Sequence, residues 1–332
     1  MPRLRKPQLL KKLLEGCRDA GWGVVILDAE HPFKLRLFDA QNAWTIRIYI
    51  WNLTHGGGRA RPVNEYRIQV TGIDPSEGFL LDGAEKTLIL GWWAEAEVFA
   101  AFDVTRHPPP LGLSPSIQIR EEALRLAAIH GFATHDKGSG EIAVAVKPEL
   151  LPEYVRQLEQ LHEFGDSMVD QEALNRVAER SGVVDEQDME EVTPERRTVL
   201  VTIARVLRDE SFRNRVLSAY DYRCAFCGIQ LKLVEAAHIV PVASMGSDET
   251  SNGLALCALH HRAFDRALVT LNEDYQTLVH EERIGELHSL GLDGGEETFR
   301  DQIRAVVQLP PTASDRPARD RINKANQLRG WT

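Results

Sequence analysis

Short hydrophobic runs occupy the first half of the chain, and one of them alternates with polar residues. The clearest run, Trp44–Trp51, places isoleucines at every second position among Thr, Arg and Tyr. A period of two predicts a strand with one buried face. Other short apolar runs predict further strands at Gly23–Leu27, Phe33–Phe38, Glu65–Val70, Thr87–Trp92, Glu97–Phe102 and Glu141–Lys147.

Hydrophobic residues at helical spacing predict helices before and after these strands. Leucines define a first helix at Gln8–Cys17, and two more are predicted at Arg120–His130 and Pro148–Phe164. A further long helical pattern starts at Arg196. Together the elements predict an α+β fold, in which residues 1–162 form one mixed, β-rich N-terminal domain.

Length and composition limit the class of protein. A chain of 332 residues is long enough for two or three domains, each with its own core. No apolar run approaches the roughly 20 residues that a transmembrane helix needs. The charged opening segment MPRLRKPQLLKKLLEG is also unlike a secretory signal. We therefore expect a cytoplasmic protein.

Charge is distributed unevenly along the chain. The net charge of −10 comes mainly from residues 163–195, where eleven acidic side chains accompany only Arg176 and Arg180. A segment so acidic and so poor in aromatic residues predicts a solvated linker, and a regulatory acidic arm is the alternative. Residues 286–332 contain adjacent prolines and many charges. We expect them to form a C-terminal tail that is flexible beyond Gln308.

Three of the four cysteines lie near histidines in the second half of the chain. Cys224 and Cys227 form a C-x2-C pair, and Cys257 forms a C-x2-H pair with His260 thirty residues later. Two short-spaced pairs of this kind are the usual ligands of a structural Zn²⁺ site. We therefore predict zinc at these four residues, with His261, next to His260, as the alternative fourth ligand.

Polar residues that a zinc site does not need lie between and beside these pairs. His238 stands in the run EAAHIVP, Asn252 precedes an apolar stretch, and Asp265 follows His261 by one helical turn. This order of residues resembles the HNH (ββα-metal) endonuclease family, including its restriction-type members. We therefore predict an HNH module, stapled by zinc, at residues 196–285.

The resemblance implies a role for each of these residues. His238 would be the general base that activates water, a role that imidazole groups fill in many enzymes. His261 and Asp265 would hold a catalytic Mg²⁺ or Mn²⁺, which stabilises the charge that develops on the phosphate. Asn252 would fix the loop that orients His238, although some relatives use this position as a metal ligand.

One position departs from the pattern of the family. Many members carry Asp or His directly before the base, as a metal ligand, and this chain has Ala237 there. Asp265 compensates for this loss, or His238 itself contacts the metal, or Glu235 reaches in from the strand. The last alternative is the least favoured, because Glu235 and His238 should point to opposite faces of a regular strand.

Arginines are concentrated around the predicted module. Seven lie between Arg196 and Arg223 against three acidic residues, and two more follow on the helix of His261. A cluster of arginines beside a metal site predicts a surface that binds the phosphates of double-stranded DNA. The expected DNA-binding residues are Arg213, Arg215, Arg223, Arg262 and Arg266.

The N-terminal domain also mixes arginines with aromatic residues. Side chains of these kinds on a sheet can stack on an extruded base and hold its backbone, although such aromatics can equally form a core. We interpret residues 1–162 as a DNA-recognition domain. The residues concerned are Trp44, Arg47, Tyr49, Trp51, Arg59, Arg61, Tyr66 and Arg67.

These features together predict a metal-dependent HNH DNA endonuclease. The class we expect is a restriction-type defence nuclease, the modification-dependent kind included, and a homodimer is compatible with it. Two alternatives stay open. One is a zinc-containing DNA-binding protein without catalysis, which the departure at Ala237 favours. The other is a nuclease of mobile elements or repair.

Overall fold

The computed structural model describes residues 3–56 and 62–331. The chain divides into two units, of which unit 1 ends at Leu207 and unit 2 begins at Arg208. None of the helices within these described ranges is both long enough and apolar enough to cross a membrane.

Unit 1 contains the strands that the hydrophobic runs predict, each within one residue of its expected ends. The pattern missed three strands, β4, β8 and β9. The strands are β1 (Gly23–Asp28), β2 (Phe33–Phe38), β3 (Ala43–Asn52), β4 (Thr54–His55), β5 (Glu65–Gln69), β6 (Lys86–Trp93), β7 (Val98–Phe102), β8 (Ser116–Arg120), β9 (Phe132–Gly138) and β10 (Glu141–Val146).

The predicted helices of unit 1 are present, one of them with a break, and two further helices lie in the segment predicted to be a linker. The helix expected at Pro148–Phe164 is interrupted at Gln157, where the backbone leaves the helical conformation. The helices are α1 (Lys6–Asp19), α2 (Glu121–His130), α3 (Leu151–Arg156), α4 (Leu158–His162), α5 (Met168–Glu179), α6 (Glu186–Glu191) and α7 (Pro194–Ala219), the last of which continues into unit 2.

Hydrophobic layers cover both faces of the main sheet. In the described part of unit 1, seven strands pair in the order β1-β2-β3-β6-β7-β10-β9, and β4, β5 and β8 form a smaller sheet. Ile46, Ile48 and Ile50 of β3 pack in one core layer, with Leu9 of α1. The alternate residues of β3 face a second layer, formed with β5, β8 and α2. The predicted α+β fold is confirmed.

Three of the aromatic residues considered for stacking, Tyr49, Trp51 and Tyr66, belong to this second layer. Tyr49 and Trp51 are 1% and 6% exposed, and the Arg47 guanidinium is 2.9 Å from the Glu85 carboxylate. Arg59 and Arg61 lie outside the described residues. The exposed stacking platform considered from the sequence is therefore not formed by Tyr49 and Trp51. Trp92, Trp93 and Tyr66 are likewise buried.

The acidic segment 163–195 is folded into unit 1 and is not a solvated linker. Ala173, Leu174 and Val177 of α5 are fully buried in its core. The carboxylate of Asp188 in α6 is 1% exposed and accepts hydrogen bonds from Arg176 and Arg180. The prediction was wrong because the apolar face of α5 is made of few, small residues. The two arginines of the segment also neutralise a buried carboxylate.

Unit 2 has its own hydrophobic core, built around Phe226, Leu254 and Phe264. The antiparallel pair β11–β12 and the following helix α8 form a ββα arrangement, as the resemblance implies. The elements are β11 (Val234–His238), β12 (Gly253–Cys257), α8 (Ala258–Asp265), β13 (Val269–Leu271), β14 (Thr277–Val279), α9 (Glu281–Ser289), α10 (Glu296–Asp301) and α11 (Arg319–Leu328).

Residues 286–331 complete the core of unit 2 and do not form the flexible tail expected from the sequence. Ile322 and Ala325, three positions apart on α11, are each 1% exposed. Arg329 donates to the carbonyl of Ile239 at 2.7 Å, and its guanidinium lies 4.2 Å from the centre of the Phe264 ring. The outer face of α11 is charged and its inner face is apolar. Composition averages over both faces, so it did not indicate the apolar one.

Ile322→Ala should therefore destabilise unit 2, whereas Leu328→Ala on the same helix should not. Removing the buried Ile322 side chain leaves a cavity and should lower the free energy of unfolding by roughly 2–5 kcal/mol. Leu328 is 53% exposed, so its substitution should change that free energy by no more than about 0.5 kcal/mol. Chemical denaturation followed by circular dichroism measures both. Equal effects of the two substitutions would contradict the packing of α11.

Candidate metal centre and catalytic site

Two turns bring the four predicted zinc ligands together. Cys224 and Cys227 lie in a turn after α7, in which the Gly228 amide donates to the Cys224 carbonyl at 2.8 Å. Gly228 has a φ of +80°, a conformation that glycine adopts without steric cost. Cys257 is the last residue of β12, and His260 lies in the first turn of α8.

The four donor atoms of these residues lie within 4.8 Å of one another. His260 Nδ1 is 3.5 Å from Cys224 Sγ and 3.2 Å from Cys257 Sγ, and the sulfurs of Cys227 and Cys257 are 4.0 Å apart. Three thiols and one imidazole at these separations fit the tetrahedral coordination of a structural Zn²⁺ ion. The structure places His260 in this cluster, and His261 outside it.

Burial and hydrogen bonding act in opposite directions on the thiols of the cluster. Burial alone would raise the pKa of Cys224, but hydrogen bonds from His260 and from backbone amides lower it to about 6. Burial raises the pKa of Cys227 to about 12, and it also raises the pKa of Cys257. A thiolate is the form of cysteine that binds metal, so Zn²⁺ would favour deprotonation of all three.

The hairpin of β11 and β12 carries the predicted base at its loop end. His238, the last residue of β11, pairs with Gly253, the first residue of β12. The buried Asn252 side chain accepts from the Val240 amide at 3.0 Å and donates to the carbonyls of Val240 and Ser247 at 3.1 and 2.8 Å. Asn252 therefore has the loop-fixing contacts expected of it, and both hydrogens of its amide are used within the loop.

Two contacts hold the ring of His238. The Phe212 ring stacks on it with centroids 3.8 Å apart and an interplanar angle of 9°. Nε2 of His238 lies 3.0 Å from Oδ1 of Asp248, and 20% of the histidine side chain is exposed. The sequence did not identify Asp248 as a site residue, because acidic residues are common in polar loops. A fixed and accessible imidazole is suited to take a proton from water.

A second group of titratable side chains surrounds His261. Its Nδ1 is 2.7 Å from Oε2 of Glu235, and its Nε2 is 3.6 Å from Oδ2 of Asp265. The hydrogen bond between His261 and Glu235 raises the pKa of the histidine and lowers the pKa of the carboxyl. Both carboxylates are more than half exposed, so one imidazole and two carboxylates converge at an open surface.

Glu235, the least favoured of the three replacements considered for Ala237, lies beside His261. Side chains alternate along a strand, so Glu235 and Ala237 of β11 point to the same face, opposite to His238. The position that carries a metal ligand in many HNH members is that of Ala237. Glu235 points to the same face as Ala237 and can therefore replace the metal ligand that is missing there. The contact of Glu235 with His261 agrees with this.

The arginines predicted to bind DNA lie on α7, on α8 and in the turn that follows α7. Arg213 lies close to the His261 group, since its charge contributes to the lowered pKa of Glu235. Arg215 is hydrogen-bonded to the loop after His238, because its guanidinium donates to the Asp248 carbonyl at 2.6 Å. Arg215, Arg262 and Arg266 are exposed, and Arg213 and Arg223 are partly buried.

The geometry of the cysteine cluster predicts that the purified protein contains about one tightly bound Zn²⁺ per chain. Cys257→Ser should lower the zinc content and unfold unit 2, since metal binding contributes to the folding of such modules. Cys17→Ser is the matched control, because Cys17 is a buried cysteine of unit 1 and is not one of the four residues of the cluster. Elemental analysis and circular dichroism measure both outcomes. Folded wild-type protein without zinc would contradict the prediction.

Comparison with known proteins agrees with this geometry. The family model described as HNH endonuclease matches residues 224–272, and the model described as Methylase-associated X1 matches residues 44–155. A solved structure titled "Modification dependent TagI restriction endonuclease" has 14% identity and a TM-score of 0.29, with 87% of this chain and 82% of that chain covered; a similarity this low defines neither fold nor function. No curated protein matches the chain. The chain carries an HNH endonuclease domain and is a nuclease that acts on phosphodiester bonds.

Proposed function

We propose that this nuclease is a metal-dependent DNA endonuclease with His238 as its general base. His261, Asp265 and Glu235 hold the catalytic Mg²⁺ or Mn²⁺. The observation that carries the proposal is the 2.7 Å contact between Glu235 and His261, which supplies a carboxylate on the strand face where Ala237 offers none. Carboxylate oxygens together with imidazole suit divalent cations of this kind.

The chemistry follows from these positions. His238 takes a proton from a water molecule, whose oxygen forms a bond to phosphorus while the bond from phosphorus to the leaving oxygen breaks. The leaving oxygen gains a proton from solvent. A bound Mg²⁺ or Mn²⁺ supplies positive charge for the phosphate oxygens of the transition state. Asn252 acts through the loop that it fixes and has no contact with the reacting atoms.

Double-stranded DNA is the proposed substrate. The arginines of unit 2 give it local positive charge although the chain as a whole has a net charge of −10, and the charge of Arg213 acts on the proposed metal ligand Glu235. Contacts to phosphates position a protein on DNA but carry no sequence information. We therefore assign the choice of DNA site to unit 1.

Unit 1 is proposed as the recognition part of a restriction-type nuclease. The region that matches Methylase-associated X1, residues 44–155, lies within unit 1. The name connects this kind of domain with methylases, and methylation is a mark by which a restriction nuclease distinguishes DNA. Because Tyr49 and Trp51 are core residues, contacts to modified DNA would come from other side chains of unit 1.

Two other functions use parts of the same site. A zinc-containing DNA-binding protein without catalysis is the candidate that Ala237 favours, because a metal ligand of many relatives is absent there. A nuclease of mobile elements or repair would use the same chemistry and would not depend on DNA modification. The following predictions separate these candidates.

His238→Ala should lower the rate of DNA cleavage by roughly 10²-fold or more, because no other group would take the proton from water. Zinc content, fold and DNA affinity should be unchanged, since His238 is outside the zinc cluster. His288→Ala is the matched control, because His288 is also a histidine of unit 2 between two carboxylates. Single-turnover cleavage of plasmid DNA measures the effect. Undiminished cutting by His238→Ala would remove it as the base.

Glu235→Gln should weaken Mn²⁺ binding by roughly 10- to 100-fold, because an amide is a poorer ligand than a carboxylate. Glu296→Gln is the control, since the Glu296 carboxylate lies 2.8 Å from a ring nitrogen of His288 and forms its ion pairs with His288 and Arg300. Titration of Mn²⁺ into zinc-loaded protein, followed by electron paramagnetic resonance, measures binding without any need for cleavage. Equal affinities in wild type and Glu235→Gln would leave the metal site without this ligand.

Full-length His238→Ala should bind a methylated or hydroxymethylated DNA duplex more tightly than the same unmodified duplex. The substitution prevents cleavage during the measurement and leaves unit 1 intact. Fluorescence anisotropy at fixed salt concentration gives the ratio of the affinities, because the phosphate contribution is the same for every duplex. Equal affinity for all three duplexes would contradict modification-dependent recognition and favour a repair or mobile-element nuclease.

A further inference from the structure

Asp248 contacts the proposed base through one ring nitrogen. Its Oδ1 lies 3.0 Å from His238 Nε2. An ionised carboxylate accepts hydrogen bonds and cannot donate them, so Nε2 carries the proton in this contact. The Asp248 side chain is 35% exposed and lines an open polar cavity of about 610 Å³, together with Arg215, Ser251 and Asp315.

The loop that carries Asp248 is held by other groups. Asn252 donates to the Ser247 carbonyl at 2.8 Å, and Arg215 donates to the backbone carbonyl of Asp248 at 2.6 Å. The chain also passes so close to itself that a Cβ at Gly246 would lie 1.8 Å from the carbonyl oxygen of Val240. None of these contacts uses the Asp248 carboxylate. Removing that carboxylate should therefore leave the loop in place.

The other ring nitrogen of His238 is available for chemistry. Stacking on Phe212 fixes the plane of the ring, and the bond to Asp248 fixes its rotation within that plane. No group of the described residues is hydrogen-bonded to Nδ1. A neutral imidazole with its proton on Nε2 has its lone pair on Nδ1, so Nδ1 is the ring nitrogen that can accept a proton.

We propose that Asp248 is a positioning residue that holds His238 through Nε2 and thereby makes Nδ1 the atom that takes the proton from water. The inference rests on the proposed role of His238 as the base. The water proton moves to Nδ1, the water oxygen bonds to phosphorus, and the bond from phosphorus to the leaving oxygen breaks. The leaving oxygen gains a proton from solvent, and His238 later returns its proton to solvent.

The carboxylate has a second effect in the same step. After the proton transfer the ring is an imidazolium, and its Nε2–H remains bonded to the negatively charged Asp248. Hydrogen bonds between an imidazolium and a carboxylate are stronger than those between neutral groups. A carboxylate that orients a catalytic histidine and stabilises its charged form performs this task in serine proteases as well. The effect should appear in the rate of cleavage and not in DNA affinity.

The test compares full-length Asp248→Ala with Asp315→Ala, which removes a carboxylate from the same cavity without a contact to His238. Asp248→Ala should cut DNA roughly 10- to 10²-fold more slowly in single-turnover assays, with unchanged zinc content and DNA affinity. Added formate, which is small enough to enter the open cavity, should restore part of the rate. Asp315→Ala should cut at the wild-type rate and should not respond to formate.

Proton resonances of protein labelled with ¹⁵N-histidine provide a readout that does not depend on cleavage. Wild type should show a slowly exchanging His238 Nε2–H resonance that is absent from both Asp248→Ala and His238→Ala. Wild-type cleavage by Asp248→Ala, or a slow rate that formate does not raise, would overturn the role of Asp248. If His238→Ala still cuts, or wild type never cuts, the proposed function itself fails, and the two failures are thereby distinguished.

Discussion

The register of the β11–β12 hairpin fixes the positions of most of the groups on which the nuclease site depends. It pairs Val234 with Cys257 at one end and His238 with Gly253 at the other. Because each strand residue advances by about 3.3 Å, the predicted zinc ligand Cys257 and the proposed base His238 are held about 13 Å apart along the strand direction. A shift of one residue would turn His238 to the opposite face of the sheet. The base and the zinc cluster therefore depend on the same hydrogen-bond ladder.

The helix that follows the hairpin serves two sites with adjacent residues. Consecutive side chains of a helix point about 100° apart, so His260 faces the cysteines while His261 faces Glu235 and Asp265. The cysteine cluster fixes the rotation and position of α8, and that rotation decides whether His261 reaches Glu235. Zinc bound at the cluster would therefore influence the geometry of the proposed catalytic metal site without contacting that site.

Local patterns predicted the parts of the fold that depend on neighbours in sequence. The alternation in Trp44–Trp51 gave a strand, and the spacing of Cys224, Cys227, Cys257 and His260 gave a cluster. Whether Tyr49 faces solvent or core depends on β5 and α2, which lie far away in sequence, and alternation does not contain that information.

The same distinction explains what the sequence missed within the site. The contact of Asp248 with His238 crosses a loop of ten residues, so no spacing rule marks it. The alternation of side chains along a strand places Glu235 on the same face as Ala237. Comparing Glu235 with Ala237, and not with His238, would have indicated it from the sequence. Ile322 and Ala325 were hidden by the charges around them, because composition averages over the two faces of a helix.

The position of α11 has a consequence for the order in which the protein becomes active during synthesis. Domains generally fold from the N-terminal side as the chain emerges from the ribosome. Ile322, Ala325 and Arg329 are made after every ligand and catalytic residue of unit 2, and yet they complete its core and brace the carbonyl next to His238. Unit 1 can thus fold well before the hairpin acquires its full support. Under the proposed division of roles, a nascent chain would recognise DNA before it is able to cut it.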